Sequence, residues 1–201
     1  MKVSDQDQKR IRDYYEDHLK KHGIYDPQAL SWSSQEAQLI RFQALLGIGD
    51  LEGKSILDVG CGLGDFYQFL KLNFDRFSYL GIDLVPKLVE KAKIKYPRAK
   101  FKSWDIMEFP QKTFDYVLAS GIFSFKVANH KKIYFEMIKK IYSLSRQATG
   151  FNMLDKEGHI DNELFAAYNS GQILDFCRSL SPKAKLINDY SPQDFTIFLY
   201  H

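Results

Sequence analysis

The sequence predicts an α/β fold: a mostly parallel sheet flanked by helices, closed by an antiparallel hairpin at the carboxyl end and preceded by a helical flap. Three observations predict it. Beyond Gly53, short apolar runs of strand length alternate with amphipathic stretches of helix length. The first of these runs ends in a turn with glycines at positions 60, 62 and 64. The last two runs, Ala184–Asn188 and Phe195–Tyr200, are joined by Asp189, Tyr190, Ser191, Pro192, Gln193 and Asp194, too short a connection for a crossover helix, so they pair antiparallel.

In chain order, Ile11, Tyr14, Tyr15 and Leu19 fall at helical spacing within Asp7–His22, and Gly23 follows as a terminating glycine. Ser33 with Glu36 reads as a capping box for a second helix that runs to about Leu46. The strands that follow are Ser55–Val59, Tyr79–Asp83, Ala99–Ser103, Phe114–Ala119 and Thr149–Leu154. Helices fill the gaps at Asp65–Leu72, Pro86–Tyr96, Lys131–Leu144 and Gly171–Leu180, with Pro86 suited to a first turn.

Composition narrows the class. The 201 residues are 45% hydrophobic and 26% charged, as in an ordinary globular domain. A chain of this size needs no disulfide or metal staple. No repeat or low-complexity linker divides it, so residues 1–201 read as one domain: a flap over 1–50 and a core over 53–201. No run approaches the ~20 apolar residues of a membrane span, and Met1–Arg10 has no signal-peptide core, so a cytoplasmic protein without membrane contact is expected. Cys61 and Cys177 stand far apart and form no metal-binding pattern, so no metal site is expected. The net charge of +3 is too small to demand a nucleic-acid partner.

The chemistry lies in Leu57–Phe66, LDVGCGLGDF. Its glycines permit a tight strand-to-helix turn that a ligand can approach closely, with the next helix aiming its amide ends at the same place. Asp83 ends the second strand 19 residues beyond Gly64, where an acid can accept ribose hydroxyls. The dinucleotide pattern G-x-G-x-x-G fails in both registers, because Asp65 and Tyr67 stand where its third glycine belongs. Asp58 and Asp65 flank the turn with negative charge, which suits a ligand with an ammonium and a sulfonium better than a pyrophosphate. S-adenosylmethionine is such a ligand.

Asp58–Gly64, Asp83 and Asp105 together resemble the nucleotide half of the class I S-adenosylmethionine-dependent methyltransferases, and the resemblance covers the chain from about Gly53 to its carboxyl end. It implies a Rossmann-like, seven-stranded, mostly parallel sheet with one reversed strand. It also implies that Gly60 and Gly62 accommodate the methionine part, with Asp58 organising the amino group and Cys61 and Gly64 among the cofactor-binding residues of the turn. Asp83 would hold the ribose and Leu84 lie against the adenine. Asp105 would meet the adenine amino group beside Ile106, and Ser120 would face the reaction centre. By likeness to small-molecule methyltransferases with helical lids, Tyr15, Trp32 and Arg41 are flap residues over the cofactor.

Several other features have two readings. Cys61 reads as a small residue tolerated in the turn rather than a nucleophile, since no histidine stands near it in sequence. His18 and His22 share a helix face, but no third metal ligand accompanies them. The basic run Lys87, Lys91, Lys93, Lys95, Arg98, Lys100 and Lys102 reads as a solvated face before it reads as a nucleic-acid footprint. Tyr14, Tyr25, Tyr168 and Phe123 are either pocket or packing residues, with packing favoured. After the fourth strand the chain reads Ala119–Phe123, without the Asp/Asn-Pro-Pro-aromatic pattern of enzymes that methylate planar amino groups. Asp155–Asn169 is long enough to close over an acceptor, and its His159 is the candidate general base. The reading is methyl transfer to a small molecule; an RNA methyltransferase and a non-catalytic S-adenosylmethionine-binding module are the alternatives.

Overall fold

In the computed structural model, which describes residues 2–159 and 162–201, three helical segments precede a seven-stranded sheet. These are α1 (Asp5–His22), a 3-10 helix (Pro27–Leu30) and α2 (Gln35–Leu46). There follow β1 (Ser55–Val59), α3 (Asp65–Asn73), β2 (Ser78–Asp83), α4 (Pro86–Lys95), β3 (Lys100–Ser103) and β4 (Phe114–Ala119). Then come α5 (His130–Ser143), β5 (Ser145–Leu154), α6 (Ser170–Leu180), β6 (Lys185–Ile187) and β7 (Asp194–Tyr200). A second 3-10 helix, Ile106–Glu108, begins directly after Asp105. Ile160 and Asp161, within the expected closing segment, lie outside the described residues, as does Met1.

The strand order is β3-β2-β1-β4-β5-β7-β6, with β7 antiparallel to both neighbours and the other pairings parallel. The order reverses between β1 and β4, so the ligand crevice belongs at their carboxyl ends. Alternation along the central strands supplies two cores. Leu57, Val59, Val117 and Ala119 face α5 and α6, while Ile56, Tyr116 and Leu118 face α2, α3 and α4. Among the described residues no helix is long and apolar enough to cross a membrane.

The amino-terminal helices divide their labour. Phe42 and Leu45 build α2 into the sheet core. By contrast α1 and the 3-10 helix lie over the glycine turn, where Leu19 and Ala29 pack with Leu63, Val85 and Leu88. Polar ties fix this cover: Asp7 accepts the Ala128 amide at 3.0 Å, and Arg12 donates to the Leu84 carbonyl at 3.4 Å.

Three expectations shift. Ser34, not Ser33, caps α2; its hydroxyl accepts the Ala37 amide at 3.0 Å, and its extended backbone turns the chain into the helix. Strand β5 starts at Ser145, four residues before Thr149, because the polar Ser145–Gln147 stretch continues the ladder. Lys95 leaves the solvated face of α4: it is 11% exposed, 2.5 Å from the Asp65 carboxylate and 3.0 Å from the Ile24 carbonyl.

Candidate active site

The turn after β1 is held by the end of β2. Gly60 and Cys61 both donate their amides to the Ile82 carbonyl, at 2.8 and 3.0 Å. Asp83 accepts the Gly62 amide on one oxygen and the Val85 amide on the other, each at 2.8 Å. Gly60 and Gly62 have φ of 73° and 52°, a region that disfavours side chains. Space forbids them too: a Cβ would stand 2.0 Å from the Ile122 side chain at Gly60 and 2.8 Å from Leu30 at Gly62. Glycine at both positions lets the Leu30 and Ile122 side chains pack directly on the backbone of the turn.

One cavity of about 340 Å³ opens from this turn. Of the sequence-derived cofactor residues, Asp58, Gly60, Cys61, Gly62, Asp83 and Leu84 line it. So do Asp105, Ile106, Ser120, Tyr15, Trp32 and Arg41. Gly64 is not in the wall; with φ of 81° it caps the start of α3. His159 lines the same cavity from the segment after β5. Tyr14, Tyr25, Tyr168 and Phe123 do not: Tyr25 is 79% exposed, while Phe123 and Tyr168 are core residues. The aromatic residues of the wall include instead Tyr15, Trp32, Phe125, Tyr134 and Phe165.

The acids of the turn differ in kind. Asp65 is neutralised by Lys95, so the negative charge expected on both sides of the turn reduces to Asp58 and Asp83. Asp58 is buried and receives the Tyr79 hydroxyl at 2.5 Å. Burial pushes its carboxyl up to about 7 against that hydrogen bond, with the charge of Asp83 adding to the rise. Asp83 is raised by burial too, although the Val85 and Gly62 amides favour its ionised form. Burial, with both acids, also raises the Cys61 thiol, which accords with a space-filling residue and not a thiolate.

Away from the turn the wall is built from the flap, the carboxyl ends of β4 and β5, and the amino end of the antiparallel β7. Ser120 donates to Asn152 at 2.8 Å, and Asn152 donates to the Arg41 carbonyl at 3.2 Å. The Arg41 guanidinium meets Asp194 at 2.6 Å and stands 4.5 Å from the Trp32 ring centre. Gln8 reaches Asp105 at 3.2 Å, and the Asp105 carboxylate also accepts the Met107 amide at 2.9 Å. The residues not foreseen here are Gln8, Tyr79, Asn152 and Asp194. Two had a signal: Asn152 interrupts the apolar end of a strand, and Tyr79 shares a sheet face with Asp58 once Ile56 is paired with Tyr79. His18 and His22 are occupied otherwise, His18 near the Gln28 carbonyl at 3.1 Å and His22 near Asp26 at 3.6 Å.

A family profile for the methyltransferase domain matches residues 56–144, from β1 to the end of α5. A Mycobacterium tuberculosis protein that carries a methyltransferase name, Rv1506c, is 26% identical over 156 residues, spanning 72% of this chain and 92% of that protein. The magnesium protoporphyrin IX methyltransferase of Synechocystis PCC 6803, solved with bound S-adenosylmethionine, superposes with a TM-score of 0.69 at 16% identity, covering 98% of both chains. Coclaurine N-methyltransferase, solved with N-methylheliamine and S-adenosylhomocysteine, gives 0.69 at 15% identity, covering 94% of this chain and 62% of that one. Both structural likenesses are likenesses of fold.

Proposed function

We propose that this chain, a class I S-adenosylmethionine-dependent methyltransferase, methylates a small-molecule acceptor enclosed beneath its amino-terminal helices, in the cytoplasm. The observation that carries this reading is the single cavity shared by the glycine turn and the covering elements α1, the first 3-10 helix and His159.

The residues of the turn fit the cofactor. Bare glycine backbone, Asp83 at the end of β2 and a buried Asp58 with no cation beside it suit a ligand that brings ribose hydroxyls and positive charge. In this assignment Asp58, Gly60, Cys61 and Gly62 hold the amino-acid part, and Gly64 shapes the turn. Asp83 holds the ribose, while Leu84, Asp105 and Ile106 hold the adenine. Tyr15, Trp32 and Arg41 close over them, with Ser120 at the reaction centre. When bound, S-adenosylmethionine supplies an electrophilic methyl group. The protein's share is alignment and exclusion of water, since displacement at a methyl carbon gains chiefly from fixing the partners in line.

The test is calorimetry with S-adenosylhomocysteine and NAD, followed by labelled methyl transfer to small molecules and to RNA. Tight S-adenosylhomocysteine binding without NAD binding supports the cofactor. Salt-resistant RNA binding with label in RNA would replace the small-molecule reading. Cofactor binding with no transfer to any acceptor would favour a non-catalytic module.

A further inference from the structure

Every charged carboxylate or guanidinium in the cavity wall has partners inside the protein. At the cofactor end these are the contacts of Asp58, Asp65, Asp83 and Asp105 described above. At the far end Asp194 takes Arg41 on one oxygen and the Ser191 hydroxyl on the other, at 2.6 and 3.0 Å. Arg41, 12% exposed, has Asp194 beside its guanidinium and Trp32 against its face.

This pairing restricts the acceptor. A carboxylate entering the far end needs an uncommitted cation, and an ammonium needs an uncommitted anion. Among the described residues the far end of the wall offers neither, the carboxylates without a cation lying at the cofactor end, and burying a charge unpaired costs several kcal/mol. Prising Arg41 from Asp194 would strand the other partner. A neutral molecule is what this space admits, and Tyr15, Phe125, Tyr134 and Phe165 give it apolar, ring-shaped walls.

One imidazole stands apart. Nε2 of His159 is buried without a hydrogen-bond partner, a state that a native protein rarely leaves unexplained. Its backbone is fixed: the His159 amide donates to the Asp155 carbonyl at 2.9 Å. Gly158 beside it sits so close to the next loop that a Cβ there would lie 1.6 Å from the Pro192 carbonyl oxygen. A nitrogen left unpartnered in a residue that lines this cavity, at an end without free charge, calls for a neutral ligand group that carries a proton to share.

We propose that the acceptor is a flat, apolar, uncharged molecule bearing one acidic hydroxyl, a phenol or an enol, and that His159 receives the hydroxyl proton on Nε2. The inference rests on the methyltransferase reading of the same cavity. The acceptor oxygen forms its bond to the methyl carbon as the carbon–sulfur bond breaks. The electron pair of the broken bond stays on sulfur, and the hydroxyl proton passes to His159 and then to water. The products are a methyl ether, S-adenosylhomocysteine and one proton. Amines fit less well because they enter from water as cations.

The experiment uses the full chain and three probes of one shape: 2-naphthol, 2-naphthoate and 2-(aminomethyl)naphthalene. S-adenosylhomocysteine binding is measured first; its absence would overturn the cofactor reading itself and not the choice of acceptor. With that binding in hand, naphthol fluorescence should report binding to the S-adenosylhomocysteine complex. Labelled methyl should then enter naphthol with kcat/KM at least about tenfold above the other two, a difference of ~1.4 kcal/mol. H159Q should lower kcat by roughly 10²- to 10⁴-fold near pH 7, with KM and S-adenosylhomocysteine affinity changed less than about threefold. That loss should shrink as the pH nears the acceptor's own value, ~10 for a phenol. Should H159Q melt early, H159N takes its place. Methylation of the carboxylate or the amine as fast as naphthol, absence of naphthol binding, or a loss in H159Q that is constant across pH would overturn the proposal.

Discussion

At the amino ends of β1 and β4, Asp115 accepts the Ser55 amide and hydroxyl on one oxygen, at 2.8 and 2.7 Å, and the Arg146 guanidinium on the other at 3.0 Å. At the carboxyl end of β1, Asp58 has a tyrosine hydroxyl and no cation. Burial opposes the charge in both places. Around Asp115 the bonds from Ser55 and Arg146 outweigh it and hold the carboxyl down at about 2. Around Asp58 nothing outweighs it, and the carboxyl rises to about 7. A carboxylate provided with its own cation serves the fold; one left without a cation in a cavity wall is completed by a cationic ligand. In the proposed assignment the sheet keeps its structural acid and its ligand-binding acid at opposite ends.

The largest expected effect is at Asp58. D58N should raise stability at pH 8 by several kcal/mol, ~4 at the upper end, while weakening cofactor binding at least about tenfold. Urea unfolding and calorimetry read the two effects; a variant both less stable and equally tight would invert the assignment. Next in size is D83A, expected to weaken S-adenosylhomocysteine binding by about 1.5 to 3 kcal/mol through loss of charge-assisted hydrogen bonds. Unchanged affinity in folded D83A would remove the ribose role. At the other end R146A should cost only about 1 kcal/mol, because Arg146 is 48% exposed, and should leave cofactor affinity within twofold.

The smallest effect is a proton count, and its sign differs between the two ends. For Asp115 the folded value lies below the unfolded one, so its stabilisation is full above pH ~4 and is lost as pH falls toward about 2. For Asp58 the folded value lies above, so stability is greatest below pH ~4 and declines as pH rises to about 7. A cationic ligand favours the ionised form, so S-adenosylmethionine binding near pH 6.5 should release a fraction of one proton. Calorimetry in buffers of different ionisation enthalpy measures it. Proton uptake would contradict the assignment.

The sheet and its turn were legible because glycine spacing and strand periodicity are local. β1 and β4 fall on their expected bounds, and the closing hairpin follows from a connection too short for a helix. Where sequence misleads, a distant partner decides. Ser145–Gln147 lacks apolar alternation, yet it joins β5 and carries the Arg146 that pairs with Asp115. Lys95 resembles its solvated neighbours until Asp65 and Ile24 meet it. Of two adjacent serines only Ser33 has a glutamate three residues on, yet Ser34, with Ala37 at that place, has the backbone direction and caps the helix. The pocket aromatics are the clearest case: composition counts rings, but Tyr15 faces the cavity while its neighbour Tyr14 packs against Phe125 and Phe165.

The ties of α1 have a kinetic consequence. The cover is tied to the residues proposed to bind: Gln8 holds Asp105 and Arg12 holds the Leu84 carbonyl, while Lys95 holds the loop after α1 at Ile24. A molecule that enters beneath α1 does so only when some of these ties let go. Each is worth on the order of 1 kcal/mol net, so opening is a modest and frequent fluctuation rather than an unfolding event. Ligand exchange is then gated: the association rate is the diffusional encounter rate multiplied by the fraction of time the first helix stands open, and lengthening that fraction at Gln8 or Arg12 speeds entry and escape together.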